Sequence, residues 1–199
     1  MRKRIDRPGL YRRACLAVVA AALALSGVAA LRAQEDVRTL GIENFGKVNE
    51  NYYRGGQPYA EALARLKSLG IKTVIDLRKD SVSGEPEWVS AQGMRYFNIP
   101  MKASRPATEE QTAYFLKLVN DPENWPVYVH CKGGRHRTGA LTAVYRITRD
   151  GWTAEQAYDE MKRYDFNNGV LGGIFGGPSA QKRFVFSFYE RHAAGGSSK

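Results

Sequence analysis

The chain has 199 residues, 43% hydrophobic and 25% charged, with a formal net charge of +10, which suits one folded domain with an adequate core and excludes a disordered or collagen-like chain. The charge is concentrated at the N-terminus, because from Gln34 onward 23 basic and 19 acidic side chains leave only +4. So small a surplus, without a nucleic-acid-binding motif, gives no reason to expect nucleic acid as a partner.

Arg2, Lys3, Arg4, Arg7, Arg12 and Arg13 precede an uncharged run, Ala14–Leu31, rich in Ala, Leu and Val. A basic head followed by an apolar run and small residues predicts an export signal over residues 1–33, with cleavage after Ala29, Ala30 or Ala33 and a periplasmic or secreted product. The alternative is an uncleaved anchor, since 18 apolar residues lie at the lower edge of a bilayer span. Membrane contact is expected only through this segment. Arg12-Arg13 weakly resembles a twin-arginine signal, and Cys15 lacks the residues that should precede a lipidation site. With Cys15 in the signal, Cys131 is the only cysteine of the mature chain, so it has no disulfide partner and no internal protection against over-oxidation.

Residues 34–44 read as a polar linker, 45–192 as the domain and 193–199 as a frayed tail. Asn44–Tyr53 is expected to form a first strand. Pro58 then lies near the start of a helix that places Ala60, Leu63, Leu66 and Leu69 on one face and ends at Gly70. The β-branched run Ile71–Leu77 predicts a buried strand, with Asp76 structural inside it. A short helix over Glu85–Gln92 and a strand over Met94–Ile99, stopped by Pro100, follow. Thr108 is placed to cap a helix reaching Asn120, with Glu109, Glu110 and Gln111 at its positive end.

Pro126–His130 reads as the strand that delivers Cys131, and helices are expected over His136–Arg149, Thr153–Tyr164 and Ser179–His192. Asn167–Pro178, with five glycines, reads as a flexible loop. Strands alternating with helices imply a single α/β domain whose central, mostly parallel sheet is flanked by helices on both sides. A ligand site is expected at the carboxyl end of a central strand.

That position is occupied by His130-Cys131-Lys132-Gly133-Gly134-Arg135-His136-Arg137-Thr138-Gly139. A thiol is a nucleophile only when ionised, and a turn that opens a helix directs backbone N–H groups and the positive dipole end at an anion. Gly133 and Gly134 permit positive φ and close approach of a phosphate. Arg137 supplies a planar fork for two phosphoryl oxygens, and the Thr138 hydroxyl is expected near the sulfur. Lys132, Arg135 and His136 complete a cationic mouth, although His136 reads equally well as the beginning of the helix. The stretch therefore predicts a phosphate-binding cup with Cys131 and Arg137 catalytic and its neighbours binding substrate.

These residues resemble the C-x5-R-[ST] signature of the cysteine-dependent protein tyrosine and dual-specificity phosphatases. Tyr52-Tyr53-Arg54-Gly55-Gly56-Gln57-Pro58 and Leu69–Arg78 extend the resemblance to the compact atypical plant, fungal and bacterial branch, covering about Phe45 to Tyr189. The resemblance implies a dual-specificity-phosphatase-like fold and a cysteinyl-phosphate intermediate hydrolysed without metal or cofactor. It implies that His130 orients the loop and tunes the thiol. It also implies an aspartate general acid on a loop before the cysteine, yet Tyr96–Arg105 holds no carboxylate and carries Lys102 and Arg105 instead. Asp80, Glu85, Glu87, Glu109, Glu110 and Asp165 remain as carboxylates to consider.

The expected substrates are phosphotyrosine and phosphoproteins. The alternative is an inositol (pyro)phosphate or phosphoinositide, whose anhydride would need no acid. A non-catalytic phosphate-binding module is the alternative from another class, and a rhodanese-like sulfurtransferase fits the Arg137-Thr138 spacing less well.

Overall fold

The computed structural model describes residues 41–80, 84–166 and 177–196. The expected export signal or anchor, the linker through Leu40, the glycine-rich stretch 167–176 and residues 197–199 lie outside the described residues. Within them, the strands are β1 (Gly46–Asn49), β2 (Tyr52–Gly55), β3 (Thr73–Arg78), β4 (Arg95–Met101) and β5 (Val127–His130). The helices are α1 (Ala60–Ser68), α2 (Glu85–Ala91), α3 (Glu109–Asn120), α4 (His136–Asp150), α5 (Ala154–Arg163) and α6 (Gly177–Gly196). The strands form one sheet in the order β1-β2-β5-β3-β4, parallel except for the antiparallel β1–β2 pair. This is the single α/β domain expected.

Side chains alternate across the sheet. Val127 and Val129 of β5, with Ile75 and Leu77 of β3, point to the α3 and α4 side, where they meet Phe115, Leu141 and Val144. Tyr128 and Val74 point the other way, onto Leu63 and Leu66 of α1 and Val89 of α2. Each such buried Leu, Val or Phe contributes about 1.5–3 kcal/mol. Helix α4 is buried from Thr138 to Tyr145, because the sheet covers one side and Ala157, Met161, Phe166 and Val185 cover the other. A capping box starts α3 at Thr108 and another starts α5 at Thr153, each satisfying two otherwise orphaned N–H groups.

Several expected boundaries are corrected. The single strand over Asn44–Tyr53 is a hairpin, because Asn49 Oδ1 accepts the Asn51 N–H at 2.9 Å and turns the chain. Helix α1 buries Ala62, Leu63 and Leu66 and leaves Ala60 exposed. Pro100 does not stop β4, which runs on to Met101; β4 is an edge strand, where a missing N–H is tolerated. Residues 193–196 continue α6 rather than fraying. The linker assignment also fails at its end: the Gly56 N–H donates to the Glu43 carbonyl at 2.7 Å, Ile42 packs on the α1 side of the sheet, and the domain therefore begins by Gly41.

Candidate active site

Strand β5 ends at His130, and α4 begins at His136 after five intervening residues. Between them the chain turns over a base of glycine. Gly134 has φ +67, and a Cβ there would lie 2.5 Å from the Gly55 carbonyl carbon and 2.6 Å from the Gly56 nitrogen, so only glycine fits. Three carbonyls of the turn are held from outside: Gln57 N–H donates to Lys132 at 3.1 Å, Asn44 Nδ2 to Gly133 at 2.9 Å, and Arg54 Nη2 to Gly134 at 2.6 Å. Carbonyls drawn outward leave the N–H groups of the turn free to face the cavity. Arg135, at the N-cap of α4, makes no side-chain cap, so the first helical N–H groups stay available to an anion.

Cys131 is a free, buried thiol, 3% exposed, on the wall of a cavity of about 490 Å³. Lys132, Gly133, Arg135, His136 and Arg137 share that wall, together with Glu43, Gln57, Tyr59 and Ala103. Arg137 Nη1 donates to the Met101 carbonyl at 3.0 Å, which anchors one edge of the guanidinium. A second cavity of about 320 Å³ is lined by Gln57, Arg78, Asp80, Lys132 and Arg137. Gln57, Lys132 and Arg137 line both, so the two are lobes of one cleft.

His130, Gly134 and Thr138 are not among the residues that line the cavity. Gly134 faces Gly55 and Gly56, and the Thr138 hydroxyl is buried without a hydrogen-bond partner. His130 lies beneath the turn on the opposite side, stacked on Tyr128 with ring centroids 5.7 Å apart. Its Nε2 stands 2.8 Å from Glu85 Oε1 and its Nδ1 3.8 Å from Asp76 Oδ1, all three side chains being fully buried. Asp76 and His130 are paired in register across β3 and β5, which is why they meet.

The Arg78 guanidinium binds Asp76 in bidentate fashion, at 2.8 Å to each oxygen, and also donates to Glu85. Asp76, Glu85 and His130 bring donor atoms within 4.8 Å of one another; the cation seated among them is Arg78. Burial pushes the Asp76 carboxyl up, but hydrogen bonds from Arg78 and the field of His130 outweigh it and hold the carboxyl below its usual range.

His136 Nε2 donates to the Phe166 carbonyl at 2.9 Å. Burial lowers its affinity for a proton, and the neighbouring Arg135 and Arg137 act in the same direction against that hydrogen bond.

Of the carboxylates considered from the sequence, Asp80 reaches the cleft. Glu85 is committed to Arg78 and His130, Glu87 is exposed, and Glu109 and Glu110 lie in the first turn of α3. Lys102 and Arg105 are exposed, and Ala103 between them is the residue that lines the cavity. Glu43 and Tyr59 were not anticipated. Glu43 belonged to a presumed linker, and it pairs loosely with Arg135 at 3.3 Å.

Residues 29–172 match the family model described as DSP-PTPase phosphatase fused to NAD+ Kinase. Over 125 residues the chain is 32% identical to the dual specificity protein phosphatase TpbA of Pseudomonas aeruginosa, spanning 63% of this chain and 56% of that protein. Over 126 residues it is 31% identical to the inositol diphosphatase DSP1 of Oryza sativa subsp. japonica, spanning 61% of this chain and 56% of that protein. The chain thus spans a little over half the length of these curated relatives. The crystal structure of P. aeruginosa TpbA in complex with pTyr superposes with a TM-score of 0.61 at 29% identity, covering 75% of this chain and 90% of that one.

Proposed function

The chain belongs to the DSP-PTPase family of dual-specificity phosphatases and is an enzyme, and from that premise we propose that it hydrolyses phosphate monoesters of phosphotyrosine and phosphoproteins through a cysteinyl-phosphate. The observation that carries this reading is the shared cavity wall of Cys131 and Arg137, on a turn whose Lys132, Gly133 and Gly134 carbonyls are held outward.

In the first step the Cys131 thiolate attacks phosphorus, the S–P bond forms and the bond to the leaving oxygen breaks, that oxygen taking a proton. In the second, water attacks phosphorus, the S–P bond breaks and inorganic phosphate leaves. Arg137 binds two equatorial oxygens, and the inward N–H groups hold the third and follow the charge as it develops. Lys132, Arg135 and His136 attract the anion at the mouth. Thr138 is assigned to stabilise the departing thiolate, and His130 to hold the turn from beneath. The chemistry of each step needs no metal or cofactor. Tyr59, 71% exposed on the cavity wall, offers an aromatic face to a phosphotyrosine ring. The relative TpbA, whose structure holds pTyr, supports this substrate class.

The second lobe favours a second reading. Arg78, Lys132 and Arg137 line it, a suitable place for the neighbouring phosphate of an inositol diphosphate, and a phosphoanhydride needs no protonated leaving group. The name of the relative DSP1 agrees with that reading.

A panel of phosphotyrosine peptide, phosphoserine peptide, phosphoinositide and inositol diphosphate, run with wild type and Cys131→Ser, tests both. Phosphotyrosine turnover that vanishes with the serine, together with a phosphoenzyme trapped on Cys131 by acid quench and mass spectrometry, is expected. Activity surviving in Cys131→Ser would overturn the mechanism, and a kcat/KM more than tenfold higher on the diphosphate would establish the second reading. We further propose that residues 1–33 export the enzyme. Cell fractionation that finds it in the cytoplasm, with the segment intact, would reverse that assignment.

A further inference from the structure

Among the described residues, Arg54 is the fully buried charged side chain that lacks a carboxylate partner. The other buried charges are paired: Asp76 and Glu85 with Arg78, and Glu160 with Arg146 at 2.7 Å. Arg54 is 0% exposed, its Nε and Nη1 have no hydrogen-bond partner, and its guanidinium lies 3.9 Å above the Tyr164 ring. Its one hydrogen bond runs from Nη2 to the carbonyl of Gly134 in the phosphate turn.

Such an arrangement is costly. An unpaired charge removed from water is strongly unfavourable, and Arg54 also approaches the first turn of α4 at Gly139, the positive end of that helix. The titratable groups that act on it are Tyr52, Tyr164, Glu160 and Cys131. Glu160 is already neutralised by Arg146, and burial holds Tyr52 in its neutral form. Tyr164 meets the guanidinium through its ring face, which leaves the thiolate of Cys131, followed by the phosphoryl group it receives, to supply a compensating negative charge.

We propose that Arg54 is the buried counter-charge of the cup, a positioning residue that fixes Gly134 through its carbonyl and stabilises the Cys131 thiolate and the bound phosphoryl group from behind without touching substrate. This rests on Cys131 being the nucleophile. It also accounts for the Tyr52–Pro58 segment. Gly55 and Gly56 let the turn approach β2, and Arg54 beside them supplies the charge.

The test is alkylation of Cys131 by iodoacetamide, followed by peptide mass spectrometry across pH 4–9 on the full chain. The forms compared are wild type, Arg54→Met, Arg54→Gln and Arg54→Lys. Wild type is expected to react faster at pH 6 than the same cysteine in the urea-unfolded chain. In Arg54→Met and Arg54→Gln the midpoint of the pH profile rises by about one unit, so alkylation at pH 6 slows roughly tenfold, while Arg54→Lys stays near wild type. The glutamine is a shorter, neutral polar side chain, so it serves if the methionine variant does not fold.

Orthovanadate, a phosphate mimic, should raise the Tm of wild type more than that of Arg54→Gln. A purely structural Arg54 would alter Tm without moving the midpoint; unchanged midpoints in folded Met and Gln variants would overturn the proposal. A wild-type Cys131 that reacts no faster at pH 6 than in the urea-unfolded chain would instead overturn the nucleophile assignment, a separable result.

Discussion

Glu85 Oε1 stands 2.8 Å from His130 Nε2, and neither side chain reaches solvent. The contact ties the start of α2 to the last residue of β5, directly before Cys131, and the same Glu85 receives Arg78. A carboxylate that compensates two buried partners cannot be neutralised without leaving both exposed to an apolar surrounding. Glu85→Gln is therefore expected to lose about 3–5 kcal/mol of folding stability, measured by urea denaturation at pH 7. Glu123→Gln, whose exposed partner Arg95 is 3.8 Å away, should show no measurable loss. Equal, small effects in the two variants would mean that the buried cluster contributes nothing to the fold.

The acid side of the stability profile should have two segments. Folding lowers the proton affinity of His136, chiefly by burial, so its contribution is present above the unfolded value near 6.5 and declines as pH falls below it. Asp76 is also held low, by Arg78 and His130 against the opposing effect of burial. Its contribution is present above about pH 3.9 and is lost as pH falls through the folded-state value. Thermal melts should therefore fall gently below about pH 6.5 and steeply below about pH 4. His136→Gln should remove the first slope and Asp76→Asn the second; if each variant keeps both slopes, the assignment of the slopes is wrong.

Gly134→Ala combines two penalties, a positive φ of +67 and a methyl group driven to 2.5 Å from Gly55 backbone. Neither neighbour is a flexible side chain that can move aside. A loss of about 2–4 kcal/mol is expected, together with loss of phosphatase activity as the turn is displaced. Gly151→Ala is the control: its φ is +68, but a Cβ there has nothing within 4 Å, so only the smaller conformational cost, about 1 kcal/mol, applies. Comparable melting points and full activity in both variants would refute the close-packing argument.

Asp80 and Glu43 are the carboxylates on the walls of the two lobes. Asp80 shares its lobe with Arg137, whereas Glu43 faces Arg135. If Asp80 protonates the leaving oxygen, Asp80→Asn should slow phosphotyrosine turnover about 10²-fold. It should leave nearly unchanged an aryl phosphate whose phenol is acidic enough to depart as the anion. Glu43→Gln should change both substrates alike and by only a few fold. Equal losses on the two substrates in Asp80→Asn would remove Asp80 from the role of acid.

The parts of the site that were legible in the sequence are the local ones. A β-branched strand, two glycines and an amphipathic helix within one short stretch are enough to imply a turn with inward N–H groups, because backbone geometry depends on neighbours in the chain. For the same reason the cap at Thr108 and the start of a helix at Thr153 could be placed before the fold was known. The hairpin at Asn49 was missed, since the Asx turn that breaks the strand is one of several conformations that the residue allows.

What lies around the turn depended on contacts between distant segments. Residue types in order determined that a thiol and a guanidinium would face one anion, and that the chain would build a mostly parallel sheet to carry them. Only the strand order β1-β2-β5-β3-β4 and its register brought Arg54 behind Gly134, Asp76 and Glu85 beside His130, and Glu43 to the cavity wall. Side-chain charge acts through space and not along the chain, so the charged groups around Cys131 became identifiable once the strands were paired.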